Sequence, residues 1–346
     1  MEAQEKVASN NPKNLFSKFL HFVRGKRIAI TMHREADIDS VASAYALSKV
    51  IPSSEILFLD KPDDRSKPLS EKLGVIIRML GDVKPSDYDG LVVVDCSSHA
   101  LLPSVKENGW KIIAVFDHHR KSGKDVSADF EFIDEESPSC AELIAILLDN
   151  RAEKNESAKS VASTKSSSIE SALISFALAV AFISDTARFS SGRKETFELF
   201  SKLLKKSGAT YTDLLFYADP PRSDDKKVAL VKALQNVRYA YSNGILVAFC
   251  EAGSSESDVA ETLVQRLDVA FVAKTDSQDN SITRISGRVN KNIHTIKLNE
   301  IMRQVGSELG GQGGGHYKAA GARVRASPQE ALKKCVEILF QRLTVG

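Results

Sequence analysis

The apolar positions of this chain fall into short continuous runs that alternate with stretches of helical spacing. FSKFLHFVR (16–24) has the helical spacing; KRIAITM (26–32) then reads as a buried strand. SVASAYALSKVI (40–51) predicts a helix, EILFL (55–59) a strand and LSEKLGVIIRML (69–80) a helix. LVVV (91–94) and KIIAVF (111–116) are further strands, and helical patterns cover 140–149 and 172–184. Strands alternating with helices predict an α/β fold whose N-terminal parallel sheet carries helices on both faces. Sites in such sheets lie at the carboxyl ends of the strands. Farther on, GILVAFC (244–250), VAFVAK (269–274) and TRISGRVN (283–290) predict strands of a second, smaller α/β domain. A helix over 294–305, a glycine-rich loop and a closing helix over 328–343 complete it.

Breaks in the pattern divide the chain. RAEKNESAKSVASTKSSSIES (151–171) is polar, Ser-rich and poor in large apolar groups, which predicts a flexible insertion between two helices. Gly, paired Pro and clustered charge place a domain boundary at 208–226. The expected organisation is a flexible N-terminus (1–15), a first domain (16–207), a linker (208–229) and a C-terminal domain (230–346).

Composition changes this picture little. With 346 residues, 42% hydrophobic and 27% charged, the chain can bury the cores of two globular domains. Lys and Arg number 47 and Asp and Glu 45, a net charge of +2 that lacks the basic excess typical of long-duplex binding. A small anionic substrate stays open. Cys96, Cys140, Cys250 and Cys335 are scattered without a CxxC pair, which argues against a disulfide framework or zinc finger and for reduced thiols in a cytoplasm. The polar N-terminus has no apolar signal core, and ALISFALAVAFI (172–183) reads as a buried helix shorter than a span, so no membrane partner is expected.

Chemistry concentrates at the predicted strand ends. The first strand leads into HREADID, with His33, Asp37 and Asp39; the third ends at Asp95; the fourth ends at Asp117, His118 and His119. The helix over 172–184 ends at Asp185. Each acid taken alone is an ordinary turn or cap residue. Together they would crowd four or more carboxylates into one site, where mutual repulsion and desolvation call for a cation. Carboxylate and imidazole donors without thiolate suit Mn²⁺, Mg²⁺ or Fe²⁺ rather than structural zinc. The donor count suits two ions about 3.5–4 Å apart.

These four motifs, HREADID, VVVDCSS, FDHH and ISDTARF, resemble in order those of the DHH phosphoesterase superfamily over most of 26–205. The resemblance implies that His33 and Asp37 bind one metal, Asp39 the other, that Asp95 bridges them, and that His118 and Asp185 complete the sphere. It further implies that His119 faces the scissile phosphate and that Asp117 orients a histidine.

A second constellation lies at GGQGGGHYKAAG (310–321). Five glycines around Gln312 let backbone N–H groups approach an anion closely. His316 follows, and Ser286, Gly287 and Arg288 lie on a predicted strand. GGGHYKAAGA resembles the GGGH motif of the DHH-associated C-terminal domain of the RecJ, nanoRNase and cyclic-dinucleotide phosphodiesterase branches. The resemblance implies a domain that closes over the metal site and grips substrate through Gly314, Gly315, His316, Arg288 and Ser286. Arg188 lies three residues beyond Asp185, equally suited to substrate phosphate or a surface ion pair, and the KSGK that follows FDHHR (121–124) reads as a solvated loop.

The expected activity is hydrolysis of phosphodiester bonds in short oligonucleotides or linear dinucleotides such as pApA at two Mn²⁺ or Mg²⁺ ions. Alternatives are 3′-phosphoadenosine 5′-phosphate, cyclic di-AMP or single-stranded DNA as substrate. The opposing class is a nucleotide-binding scaffold without turnover. A homodimer is compatible with either reading.

Overall fold

Five short runs form one parallel sheet: β1 (Ile28–Met32), β2 (Ser54–Ile56), β3 (Gly90–Val94), β4 (Ile112–Asp117) and β5 (Phe130–Ile133). The computed structural model describes residues 12–119, 126–156 and 165–344. The strand order β2-β1-β3-β4-β5 reverses direction between β1 and β3. At such a switch point the loops leaving neighbouring strands diverge to opposite sides and leave a crevice.

The strands read as unbroken apolar runs because both faces are covered; every residue of β1 and β3 is buried. One face packs Ile28, Ile30, Met32, Val92, Val94 and Phe116 under four helices: α1 (Pro12–Phe22), α2 (Ile38–Ser48), α5 (Cys140–Glu156) and α6 (Lys165–Asp185). The other sets Ala29, Leu91, Val93 and Val115 against Leu57, Leu80, Leu102 and Trp110, together with Val105 of α4 (Pro103–Glu107). β5 was not anticipated from the pattern. Phe132 stacks on Phe116 with ring centroids 4.4 Å apart and so fixes its register.

Three expectations in this unit need correction. The helix predicted over 69–80 is only α3 (Lys67–Leu73), because Gly74 caps it in the left-handed conformation (φ 65°) and β-branched residues follow. The insertion at 151–171 is helical at both ends, since α5 runs on through the helix formers RAEKNE to Glu156 and α6 starts at Lys165. Residues 157–164 lie outside the described residues, as do 1–11 of the N-terminus expected to be flexible, which is helical from Pro12, and the loop at 121–124. Finally, Ser168–Asp185 of α6 is long and apolar enough to cross a membrane. Half of that window is buried in the core, including Phe176 through Ile183.

Helices α7 (Lys194–Ser207) and α8 (Tyr211–Ala218) complete the first unit, which ends at Pro221; the second runs from Arg222. The stretch 208–229, expected as a linker, is therefore mostly helical: α8 buries Leu214 and Ala218 in the first core, and α9 (Asp224–Gln235) opens the second unit.

The second unit is a six-stranded mixed sheet of β6 (Arg238–Ser242), β7 (Ile245–Glu251), β8 (Val269–Thr275), β9 (Thr283–Val289), β10 (Gln312–Gly315) and β11 (Ala319–Val324). Their order is β10-β11-β9-β8-β7-β6. Only β7 and β8 pair in parallel, across α10 (Glu256–Val264). Helices α11 (Leu298–Glu308) and α12 (Pro328–Thr344) cover one face, and α9 and α10 cover part of the other. The glycine-rich segment predicted as a loop is a strand. β10 pairs with β11 along its length and presses so closely on α11 that a Cβ at Gly313 would come within 1.9 Å of the Met302 carbonyl oxygen.

Candidate metal centre

The carboxyl edge of the first sheet collects all eight candidate residues of that unit. His33 follows β1, and Asp37 caps α2 by accepting the Ser40 N–H at 3.0 Å. Asp39 sits in the first turn of α2, where a carboxylate is favoured by the helix N-terminus. Its two oxygens also accept N–H bonds from Cys140 (2.7 Å) and Ala141 (2.9 Å) at the start of α5. Asp95 ends β3 with φ at 56°, a left-handed conformation that a non-glycine residue adopts only under constraint. Asp117 ends β4, and Asp185 ends α6.

Asp95 is the hub. Its Oδ2 accepts a 2.7 Å bond from Ser40 Oγ and lies 3.6 Å from His33 Nε2. Its Oδ1 is buried without a hydrogen-bond partner and faces His118 Nε2 at 3.4 Å. The donors form three overlapping triads, His33–Asp37–Asp95, Asp39–His118–Asp185 and Asp95–His118–His119, each with ligand atoms close enough for one ion. His118 Nε2 is 3.9 Å from Asp39 and 3.5 Å from Asp185. An orphaned buried carboxylate oxygen beside two imidazoles fits a cation ligand, since a buried charge without a partner is costly.

Both histidines are also turned for ligation. His33 Nδ1 is bonded to the Arg34 carbonyl, and His118 Nδ1 to the Ser137 carbonyl at 3.1 Å. Each thereby presents Nε2 to the cluster, the orientation that outer partners impose on metal-binding histidines. Asp117 holds the next turn: its Oδ1 accepts the backbone N–H groups of His118 (2.8 Å) and His119 (3.2 Å) and lies 2.8 Å from His119 Nδ1. The His119 ring is exposed beside the cluster, 3.7 Å from Asp95.

Burial and neighbouring charges shift the protonation of these groups. Burial opposes a charged ring at His33 and His118, yet the adjoining Asp95 carboxylate, with further carboxylates around His118, pushes them up to about 9 and about 10. Burial, then the Asp95 charge, raises Asp185 to about 7 and lifts Asp37 and Asp39 above the usual range. Burial would also raise Asp95, but the adjoining His118 and His33 rings hold it below that range. The bond to Asp117 raises His119.

In the second unit, Gly314, Gly315, Ser286 and Arg288 line one groove of about 950 Å³. Gly314 pairs with Gly321, Gly321 with Ser286, and Ala319 with Arg288. Among these glycines, a Cβ at Gly314 would meet nothing within 4 Å, so its bare backbone serves no packing need within the chain. His316 is exposed at the β10–β11 turn, outside the groove-lining set, and donates its backbone N–H to Ala319. Sequence reasoning missed Ser40 and also Ser257, whose Oγ lies 3.1 Å from Ser286 Oγ and accepts from Arg288 at 3.2 Å. Ser40 could have been found as the residue three after the helix-capping Asp37; Ser257 has no local signal. Arg188, read as either a phosphate contact or an ion-pair partner, is bonded to Asp219.

A parallel sheet with a carboxylate–imidazole cluster at its switch point offers a site for divalent cations. The DHH family N-terminal domain matches residues 27–170 and the DHHA1 domain residues 243–344, together more than two thirds of the chain; the protein belongs to the DHH superfamily. An uncharacterised protein of Methanocaldococcus jannaschii is 24% identical over 94% of this chain and 96% of its own length. An exopolyphosphatase-related protein from Bacteroides fragilis superposes with a TM-score of 0.73 at 15% identity, covering 96% of this chain and 97% of that one. RecJ from Thermus thermophilus, solved with Mn²⁺, gives 0.50 at 14% identity over 96% of this chain and 55% of RecJ.

Proposed function

We propose that the protein hydrolyses phosphodiester bonds of short oligonucleotides or linear dinucleotides with two divalent ions, Mn²⁺ or Mg²⁺, held by His33, Asp37, Asp39, Asp95, His118 and Asp185. The observation that carries this reading is the Asp95 carboxylate, whose Oδ2 faces His33 and whose Oδ1 faces His118, each ring a member of a different donor triad. The ions, when bound, supply activation of water at neutral pH and offset charge on the phosphate. Asp117 fixes the His119 ring, which contacts the scissile phosphate. Ser40 steadies Asp95 against His33. In the second unit Gly314 and Gly315 offer backbone to the substrate, and Arg288, set by Ser286 and Ser257, supplies a forked donor for phosphate or a plane for a base. His316, at the end of β10, adds an exposed donor. The near-neutral net charge favours a small substrate over a long duplex.

The test is Mn²⁺-dependent hydrolysis of pApA, a five-nucleotide RNA, cyclic di-AMP, 3′-phosphoadenosine 5′-phosphate and single-stranded DNA, with Asp95→Asn alongside. Turnover of pApA or the short RNA by wild type, lowered more than about 100-fold in the variant, supports the reading. Preferred turnover of another substrate replaces the substrate assignment. Equal silence of both proteins on every substrate sinks the catalytic reading in favour of a nucleotide-binding scaffold.

A further inference from the structure

Two of the candidate metal ligands are held by a segment that supplies no ligand itself. Residues 134–142 lead from the end of β5 into α5. The Ser137 carbonyl turns the His118 ring, and the Cys140 and Ala141 N–H groups hold the two oxygens of Asp39. His118 and Asp39 share one donor triad, which Asp185 completes.

The segment is itself fastened by a buried ion pair. Glu142, in the first turn of α5, has a fully buried side chain. Its Oε1 accepts from Arg193 Nε at 2.7 Å, and its Oε2 accepts from the Thr196 hydroxyl. The Arg193 guanidinium also reaches Asp134 at 3.5 Å, so one side chain joins the two ends of 134–142. Between those ends Ser137 Oγ donates to the Ser139 carbonyl at 2.9 Å, and Ser139 Oγ accepts the Glu142 N–H at 3.0 Å. Arg193 and Thr196 open α7, the helix that follows the one ending at Asp185. A buried ion pair adds little net stability over apolar groups of the same size. Its charge-assisted bonds do fix the geometry of what they join. We propose that Glu142 and Arg193 are positioning residues for the metal centre. Acting through the Ser137 carbonyl and the Cys140 and Ala141 N–H groups, they set His118 and Asp39 for one of the two ions. The inference rests on the two-metal reading given above.

The test is calorimetric titration of the full chain with Mn²⁺ at neutral pH, alongside thermal melting without metal. The proteins are wild type, Arg193→Met and the double variant Glu142→Gln, Arg193→Met. Arg193→Met alone leaves a buried carboxylate without its counter-charge and should lower the melting temperature. The double variant removes both charges and keeps the side-chain size, so its melting temperature should return toward that of wild type. Asp134 is partly exposed and keeps its hydration. Metal affinity should not return with stability: in the double variant one ion should bind about 10–100-fold more weakly and the other within about threefold of wild type. Val105→Ala opens a cavity in the core on the opposite face of the sheet and serves as the destabilised control, with Mn²⁺ affinities unchanged. Wild-type affinity for both ions in the double variant overturns the role of the pair and leaves the metal centre standing. Equal weakening in Val105→Ala also overturns it, because lost stability would then account for the effect. A wild type that binds no Mn²⁺ overturns the metal centre and this inference together.

Discussion

Thr186 fastens the backbone at the point where α6 delivers Asp185. Its Oγ1 donates to the Phe182 carbonyl and accepts the Phe189 N–H at 2.8 Å, and the Arg188 N–H reaches back to Ile183 at 2.8 Å. These bonds, with the Phe189 ring packed on Phe197 and Phe200, hold Ala187, Arg188 and Phe189 all at positive φ (48°, 58° and 66°). For residues with a Cβ that conformation costs roughly 1–2 kcal/mol each. Ala187 is exposed, so its methyl group returns little by packing. Ala187→Gly removes the strain at one position and adds roughly 0.4–1 kcal/mol of unfolded-chain freedom. The net expectation is a gain of about 0.5–1 kcal/mol, read as a higher urea midpoint with unchanged slope. A loss of stability would show that the turn does not hold residue 187 in the left-handed region.

At the scale of elements, two neighbouring glycines of β10 separate packing from binding. Gly313→Ala drives a methyl group into the Met302 carbonyl and should cost at least about 2–3 kcal/mol of second-unit stability. Gly314→Ala meets nothing within the chain, so the melting temperature should hold while KM for the oligonucleotide rises and kcat stays. An unchanged KM would remove Gly314 from the substrate grip. This contrast was out of reach of the sequence, where the run reads as one anion-binding, glycine-rich loop. Its tight spacing follows from α11 lying across β10, a tertiary contact with no local signal. β6 is a different kind of miss: Asn243-Gly244, both at positive φ, form the two-residue turn of a hairpin and were legible as such. The first sheet was readable because β1, β3 and β4 are buried on both faces and stand out as apolar runs. The eight cluster residues were readable because their strand ends recur in a known order. The Ser137 carbonyl that orients His118, by contrast, arrives from 19 residues away through the fold.

For the molecule as a whole, metal, protons and stability are linked. All six candidate ligands lie in the first unit, which has cores separate from those of the second. In the metal-free protein His33 and His118 titrate at about 9 and about 10, so at neutral pH both carry the protons that Nε2 must lose to ligate. The sign follows from the raised values. The imidazolium–carboxylate pairs stabilise the metal-free first unit fully below the ordinary histidine value of about 6.5, and that contribution fades as pH rises through 9 and 10. Metal binding runs the other way and tightens with pH, by up to about 100-fold per unit while two protons are displaced. Saturating Mn²⁺ at about 100 times Kd should add about 2.7 kcal/mol per bound ion to the first unit alone. The melting shift should be larger at about pH 8.5 than at about 6.5, and absent in Asp95→Asn. Calorimetric titration with Mn²⁺ near pH 7.5, in two buffers of different ionisation heat, should count at least about two protons released, the two imidazolium protons plus any held by the raised carboxylates. A count near zero, with a melting shift indifferent to pH, would mean that the two imidazoles are not displaced from their protons by the metal and that the ligands lie among the carboxylates alone.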